Sequence, residues 1–221
     1  MQKFATTAPI SAVLDIPAGH IRLIAADRAD ATVEVLPANA SNSRDVKAAE
    51  QTTVEYADGV LRIAAAPAKN RILGSSGYVE VTVQLPAGSR IEAKAADAEF
   101  RGVGRLGDVV IEAARGTVKL DETAGADLTL QAGDVMVGRL GGPARISTQK
   151  GDLRITEAVS GTVELRTEAG NIEVGAARGV SASLDAHTAY GRIQNALMNT
   201  GTAALDIRAT TSYGDIAARS L

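Results

Sequence analysis

The chain of 221 residues contains no cysteine, which removes disulfides, thiolate zinc sites and cysteine nucleophiles together. Tryptophan is absent too, and Phe and Tyr bring the aromatic share to only 3%. That is too few rings for the stacking platforms that hold single-stranded bases, or for sugar clefts lined with aromatics. Charge of one sign is also lacking. The 23 basic and 26 acidic residues are spread along the chain, so no basic stripe offers itself to a phosphate backbone and nucleic acid is not an expected partner. No segment approaches the roughly 18 apolar residues of a spanning helix. Thr, Pro, Ser and Asp interrupt the opening MQKFATTAPISAVLDIPAGH, which denies it a signal-peptide core. A cytoplasmic protein without direct membrane insertion is the expectation.

Hydrophobic residues make up 45% of the chain, enough for a core. Glycine shows how that core is organised, because 18 of the 22 glycines lie at or after Gly88. There, short alternating runs follow glycines: GTVKL from Gly116, GDVMV from Gly133, GDLRI from Gly151, GNIEV from Gly170, GRIQN from Gly191 and GDIAA from Gly214. A second alternating run lies between each pair, near Leu128, Ile146, Val163, Leu184 and Leu205. Side chains of a strand alternate between faces. Leu153, Ile155, Val163, Leu165, Ile172 and Val174 therefore form one apolar set, with Asp152, Arg154, Glu164, Arg166 and Glu173 pointing outward.

Two strands and two turns per repeat of this length mark a solenoid, whose coils bury their apolar rows only by stacking. The fold class expected is all-β: a right-handed β-solenoid of about seven short-strand coils. They begin near Arg90, Val109, Ala126, Ala144, Thr162, Val180 and Ala203. Residues 1–87 read as a strand-rich cap and 88–221 as the repeats, in one continuous unit. Within the cap, Asp58-Gly59 predicts a type I′ hairpin turn, and YVEVTVQL (78–85) a strand. A short helix is expected between Ala38 and Gln51 with Ser43 as N-cap, and a mobile loop over Pro67–Gly77.

The motifs that could carry chemistry each have a plainer structural reading. GVGRLG (102–107) matches the dinucleotide fingerprint, but DVVIEAARG after it alternates like a strand where the fingerprint needs a helix. Asp134, Asp152 and Asp215, with Asn171 at the equivalent place, follow repeat glycines. Stacking would bring such carboxylates close enough to invite a cation, although Asp and Asn also serve turns. His20 and His187 lie far apart, and no G-x-S-x-G elbow accompanies them. Tyr190 and Tyr213 precede equivalent glycines and could stack as an aromatic ladder. Asn39-Ala40-Ser41 is a formal glycosylation sequon. No catalytic, cofactor-binding or metal-binding residue is assigned, and no cofactor is expected.

The opening ISAVLDIPAGHIRLIAADRADATVEVLPA, the junction VEVTVQLPAGSRIEA and the closing TSYGDIAARS resemble the DUF4097 family, often labelled adhesin-like. The resemblance covers nearly the whole chain through order and repeat phrasing rather than a catalytic motif. It implies a bacterial β-solenoid, and relatives that include envelope-associated proteins. The function expected is a non-enzymatic scaffold or protein-interaction module that self-associates or binds a protein partner. An envelope-associated adhesin-like module is the alternative, ahead of a carbohydrate-active enzyme. Because the last coil ends at Leu221, end-to-end pairing is expected there, with Ile216 at the contact.

Overall fold

Alternation of apolar and polar residues in runs too short for a spanning helix leaves one way to form a large core, which is to stack strands edge to edge. The computed structural model describes residues 1–66 and 77–221. The expected loop at Pro67–Gly77 thus lies, apart from Gly77, outside the described residues. The chain opens with β1 (Gln2–Ala5), β2 (Ser11–Asp15), β3 (Ala18–Ala26) and β4 (Asp30–Pro37), then α1 (Ser43–Gln51). β5 (Thr53–Ala57), β6 (Val60–Ala64) and β7 (Val79–Pro86) follow, then the long β8 (Arg90–Arg115) and β9 (Val118–Ala132). Shorter strands complete it: β10 (Val135–Leu140), β11 (Ala144–Ser147), β12 (Leu153–Ala158), β13 (Gly161–Arg166) and β14 (Ile172–Ala176). The last are β15 (Ala182–Tyr190), β16 (Ile193–Ala196), β17 (Leu205–Tyr213) and β18 (Ile216–Ser220).

The fold is an all-β solenoid whose coils contribute to two parallel ladders. One ladder runs through β9, β11, β13, β17 and β15, the other through β9, β10, β12, β14, β18 and β16. Register carries the apolar residues directly over one another. Phe100, Val118, Val135, Leu153, Ile172 and Ile216 form one inner row, all buried. Leu128, Ile146 and Leu165 form another. All six residues expected as the inner set of residues 153–174 are buried, as period two requires.

Sequence order and stacking order part company at both ends. β2 lies between β6 and β8, and β3 between β7 and β8. Likewise β17 lies between β13 and β15, and β18 between β14 and β16. The last coil of the sequence is therefore the second-to-last rung of the stack. This corrects the expected contact at Ile216: that residue is 1% exposed, whereas Ile193 on the true terminal rung is 46% exposed.

The opposite end is closed differently. β4 pairs antiparallel with β7 and β1, and β5 antiparallel with β6. The β5–β6 turn has Asp58 at φ 51° and Gly59 at φ 76°, the left-handed pair that a type I′ turn demands. Helix α1 begins one residue earlier than expected in its capping: Asn42 is the N-cap, its side-chain oxygen accepting from the Arg44 N–H at 3.0 Å. Buried Asp45 accepts the Tyr78 N–H at 3.0 Å, which ties the helix to the start of β7.

Candidate interaction surface

The glycine corners explain most of the suspected motifs. At four of them the sequence reads Thr-x-x-Gly followed by Asp, Asn or Arg: Thr148–Asp152, Thr167–Asn171, Thr188–Arg192 and Thr211–Asp215. Gly151 has φ 143°, and a Cβ there would lie 2.1 Å from the Gly133 carbonyl oxygen, so no other residue fits. The threonine hydroxyls donate to glycine carbonyls of the neighbouring rung: Thr167 to Gly151 at 3.1 Å, Thr211 to Gly170 at 3.0 Å and Thr188 to Gly214 at 3.0 Å. Threonine went unremarked in the sequence, although its fixed offset from these four glycines was there to be read.

The Asx residues after those glycines form a ladder of their own. Asp134 accepts the Asp152 N–H (2.9 Å), Asp152 the Asn171 N–H (2.7 Å), and Asn171 the Asp215 N–H (2.9 Å). Asp215 accepts the Arg192 N–H (2.9 Å) and its guanidinium. That backbone bond, then the side-chain one, holds the Asp215 carboxyl below the usual carboxylate range. The structure thus gives these carboxylates a backbone partner in the next rung. Among the described residues no cluster of three or more His, Asp or Glu could hold a metal ion. The ladder stops at Arg192, which has no carboxylate to offer a further rung.

The remaining motifs fall elsewhere. GVGRLG is a strand corner inside β8, with Gly104 at φ 80° and a Cβ there 2.1 Å from the Ala25 carbonyl oxygen. His20 meets Glu99 at 3.1 Å on an exposed face, far in sequence and structure from His187 on β15. Asn39 accepts the Ser41 N–H at 2.9 Å as a local turn. Tyr190 and Tyr213 do stack, with centroids 5.0 Å apart and planes 4° from parallel. They are 68% and 60% exposed.

Stacking also orders the outer charges. Asp127, Arg145, Glu164, Arg208 and Asp185 occupy successive rungs at one register position, so their signs alternate along the face. Arg145 and Arg208 both reach Glu164, at 3.1 and 3.3 Å. On the other ladder Arg154 pairs with Glu173 at 3.4 Å and Arg139 with Glu157. Of the outward charges expected from the sequence, the structure therefore joins Arg154 to Glu173 and places Glu164 and Arg166 on the opposite ladder. Such exposed pairs contribute little stability each, but they give the faces a regular pattern of charge. Two depressions, of 500 and 320 Å³, share Arg145 and Glu164 and lie open along the alternating row. No described helix is long and apolar enough to cross a membrane.

Parallel coils, glycine corners with backbone-capping Asx ladders, and patterned outer faces define a β-solenoid of the repeat class. The chain belongs to the Toastrack DUF4097 family, whose model matches residues 13–220. Similar solved structures include one described as a “putative adhesin” from Parabacteroides distasonis, 19% identical, covering 98% of this chain and 95% of that one at a TM-score of 0.47. Another so described, from Bacteroides fragilis, is 12% identical with the same coverages and TM-score. A “putative cell adhesion protein” from Clostridium sporogenes is 12% identical, covering 100% and 98%, at a TM-score of 0.39. No curated protein matches the chain.

Proposed function

We infer that this protein is a non-enzymatic interaction module that binds a protein partner along its outer face. The observation that carries the reading is the alternating row from Asp127 to Asp185. Each of its arginines faces carboxylates, and the depressions beside it are shallow and open rather than convergent on a reacting atom. Glycoside chemistry needs two carboxyl groups disposed about a bond, whereas Glu164 in this depression is engaged by two arginines. A rigid row of alternating charge instead suits a partner segment of complementary pattern, where charge sets register and specificity more than affinity.

The test is capture from the native host with wild-type protein and an Arg145→Glu/Arg208→Glu variant as baits. A prey retained by the wild type and lost from the reversed face is the expected result. Equal capture by both baits, or none by either, would overturn the reading.

A further inference from the structure

We propose that the bare edge of β15 pairs antiparallel with β15 of a second copy of this chain, centred on Ala186, to give a closed two-fold dimer. Among the described strands β15 pairs on one side only, with β17. It has nine residues without proline, the kind of unblunted edge that accepts another strand. Tyr190, Ile193 and Met198 are exposed at the same end.

Three features say what covers it. First, a further rung stacked in parallel is refused at the corner, because the Asx ladder ends in Arg192. The neighbouring edge β16 is refused as well. It has four residues, Asn195 stands where inner rungs carry Val174 and Ala218, and its side-chain oxygen is turned onto the Leu197 N–H at 3.0 Å. Second, the far end of the stack presents only the short antiparallel strands β1 and β5, of four and five residues, with α1 against β4 and β7, so head-to-tail growth finds no parallel edge to match β15 and closure by a two-fold remains.

Third, charge selects the register. The alternating row ends on the carboxylate of Asp185, whose inner neighbour is Arg208, so the open side calls for a cation or donor. In an antiparallel pair centred on Ala186, Asp185 of each copy lies opposite His187 of the other, and inner residues meet inner residues. Centring on Asp185 would oppose two carboxylates, and like charges directly opposite are destabilising; centring on His187 would set Asp185 opposite Ala189 and leave its carboxylate without a donor. The proposal deepens the interaction-module reading and rests on it for the use of the outer row. The two fail separately, since sedimentation needs no partner and an Arg145→Glu bait reverses the row on β11, three rungs from β15.

The experiment is sedimentation velocity of the full chain over a concentration series, with four variants. A monomer–dimer equilibrium is expected for wild type. His187→Asp, at an exposed site, should weaken it by about tenfold or more through opposed carboxylates, and Asp185→His/His187→Asp should restore it. Because the chain has no cysteine, Ala186→Cys can be oxidised without background. Residues directly opposite in an antiparallel pair lie about 4.5–5.5 Å apart, within disulfide reach, so this variant should form a covalent dimer while Gln194→Cys on β16 should not. A strictly monomeric chain, species that grow without limit, cross-linking through Gln194→Cys instead, or no effect of His187→Asp would each overturn the proposal.

Discussion

The two ends of the stack solve one problem in opposite ways. At the N-terminal end the chain turns strands antiparallel, lays α1 beside β7 and β4, and fixes the helix with buried Asp45. At the C-terminal end the ladders stay parallel to the last rung, and only side chains change: Asx gives way to Arg192, Val174 to Ala218 and then Asn195. The first end is covered by backbone, the second is tapered by composition. An edge finished by composition keeps its backbone groups free, and β15 leaves nine residues so exposed against four at β1.

The contrast can be broken most forcefully at the inserted rung. Ile216→Lys would bury an ammonium between Ile172 and Ile193 and should lower stability by about 3 kcal/mol or more. Ile193→Lys, on the open rung, should cost about 1 kcal/mol or less. Chemical denaturation of both variants measures the gap, and equal losses would contradict the stacking order. Next in size is Gly151→Ala, which drives a Cβ into the Gly133 carbonyl at a φ suited to glycine. A loss of about 2–4 kcal/mol is expected, against about 1 kcal/mol for Gly179→Ala, where φ is 76° but the space is open. Smaller again is Thr167→Val, which removes the bond to Gly151 and should cost about 1 kcal/mol, with faster amide exchange confined to that corner.

The smallest effect sharpens the N-terminal side. Asp30 is held by Arg28 at 2.6 Å and Lys3 at 2.9 Å, the Arg28 bond foremost, and its carboxyl is lowered from 3.8 to about 2. A depressed folded pKa contributes stability above the unfolded value and loses it as pH falls through the folded one. Thermal melts of wild type and Asp30→Asn should therefore differ above about pH 4 and converge toward pH 2. Hydrogen exchange in β1 should report the same window, and an unchanged difference at low pH would remove the clasp.

The sequence was most readable where one rule acts alone. Period two placed Leu153, Ile155, Val163, Leu165, Ile172 and Val174 in the core, and Asp58-Gly59 marked its hairpin, because strand alternation and left-handed φ are local. The order of rungs was not legible from the repeat, since coils 182–196 and 205–220 share one grammar of alternation and glycine corner, and period two alone does not say which of them sits on β13 and β14. What does distinguish them is single residues: Arg192 where the other corners have Asp or Asn, and Asn195 in an apolar row. The helix cap slipped from Ser43 to Asn42 because adjacent residues both cap well. The alternating charge row could not be read either, as Asp127 and Asp185 become members of it only once register is known.

Inserting β17 and β18 between segments made earlier has a consequence for how the chain is assembled in time. During synthesis residues 182–196 emerge before 205–220, and domains fold as their segments become available. At that moment β13 and β14 expose edges onto which β15 and β16 could settle prematurely, in the place that belongs to residues not yet made. The native order is reached only once residues 205–220 have emerged and wedged in. A product cut short before Leu205 would thus offer β13 and β14 directly to β15 and β16, with Asn195 brought opposite Val174, an alternative order that a solenoid wound in simple sequence order does not have.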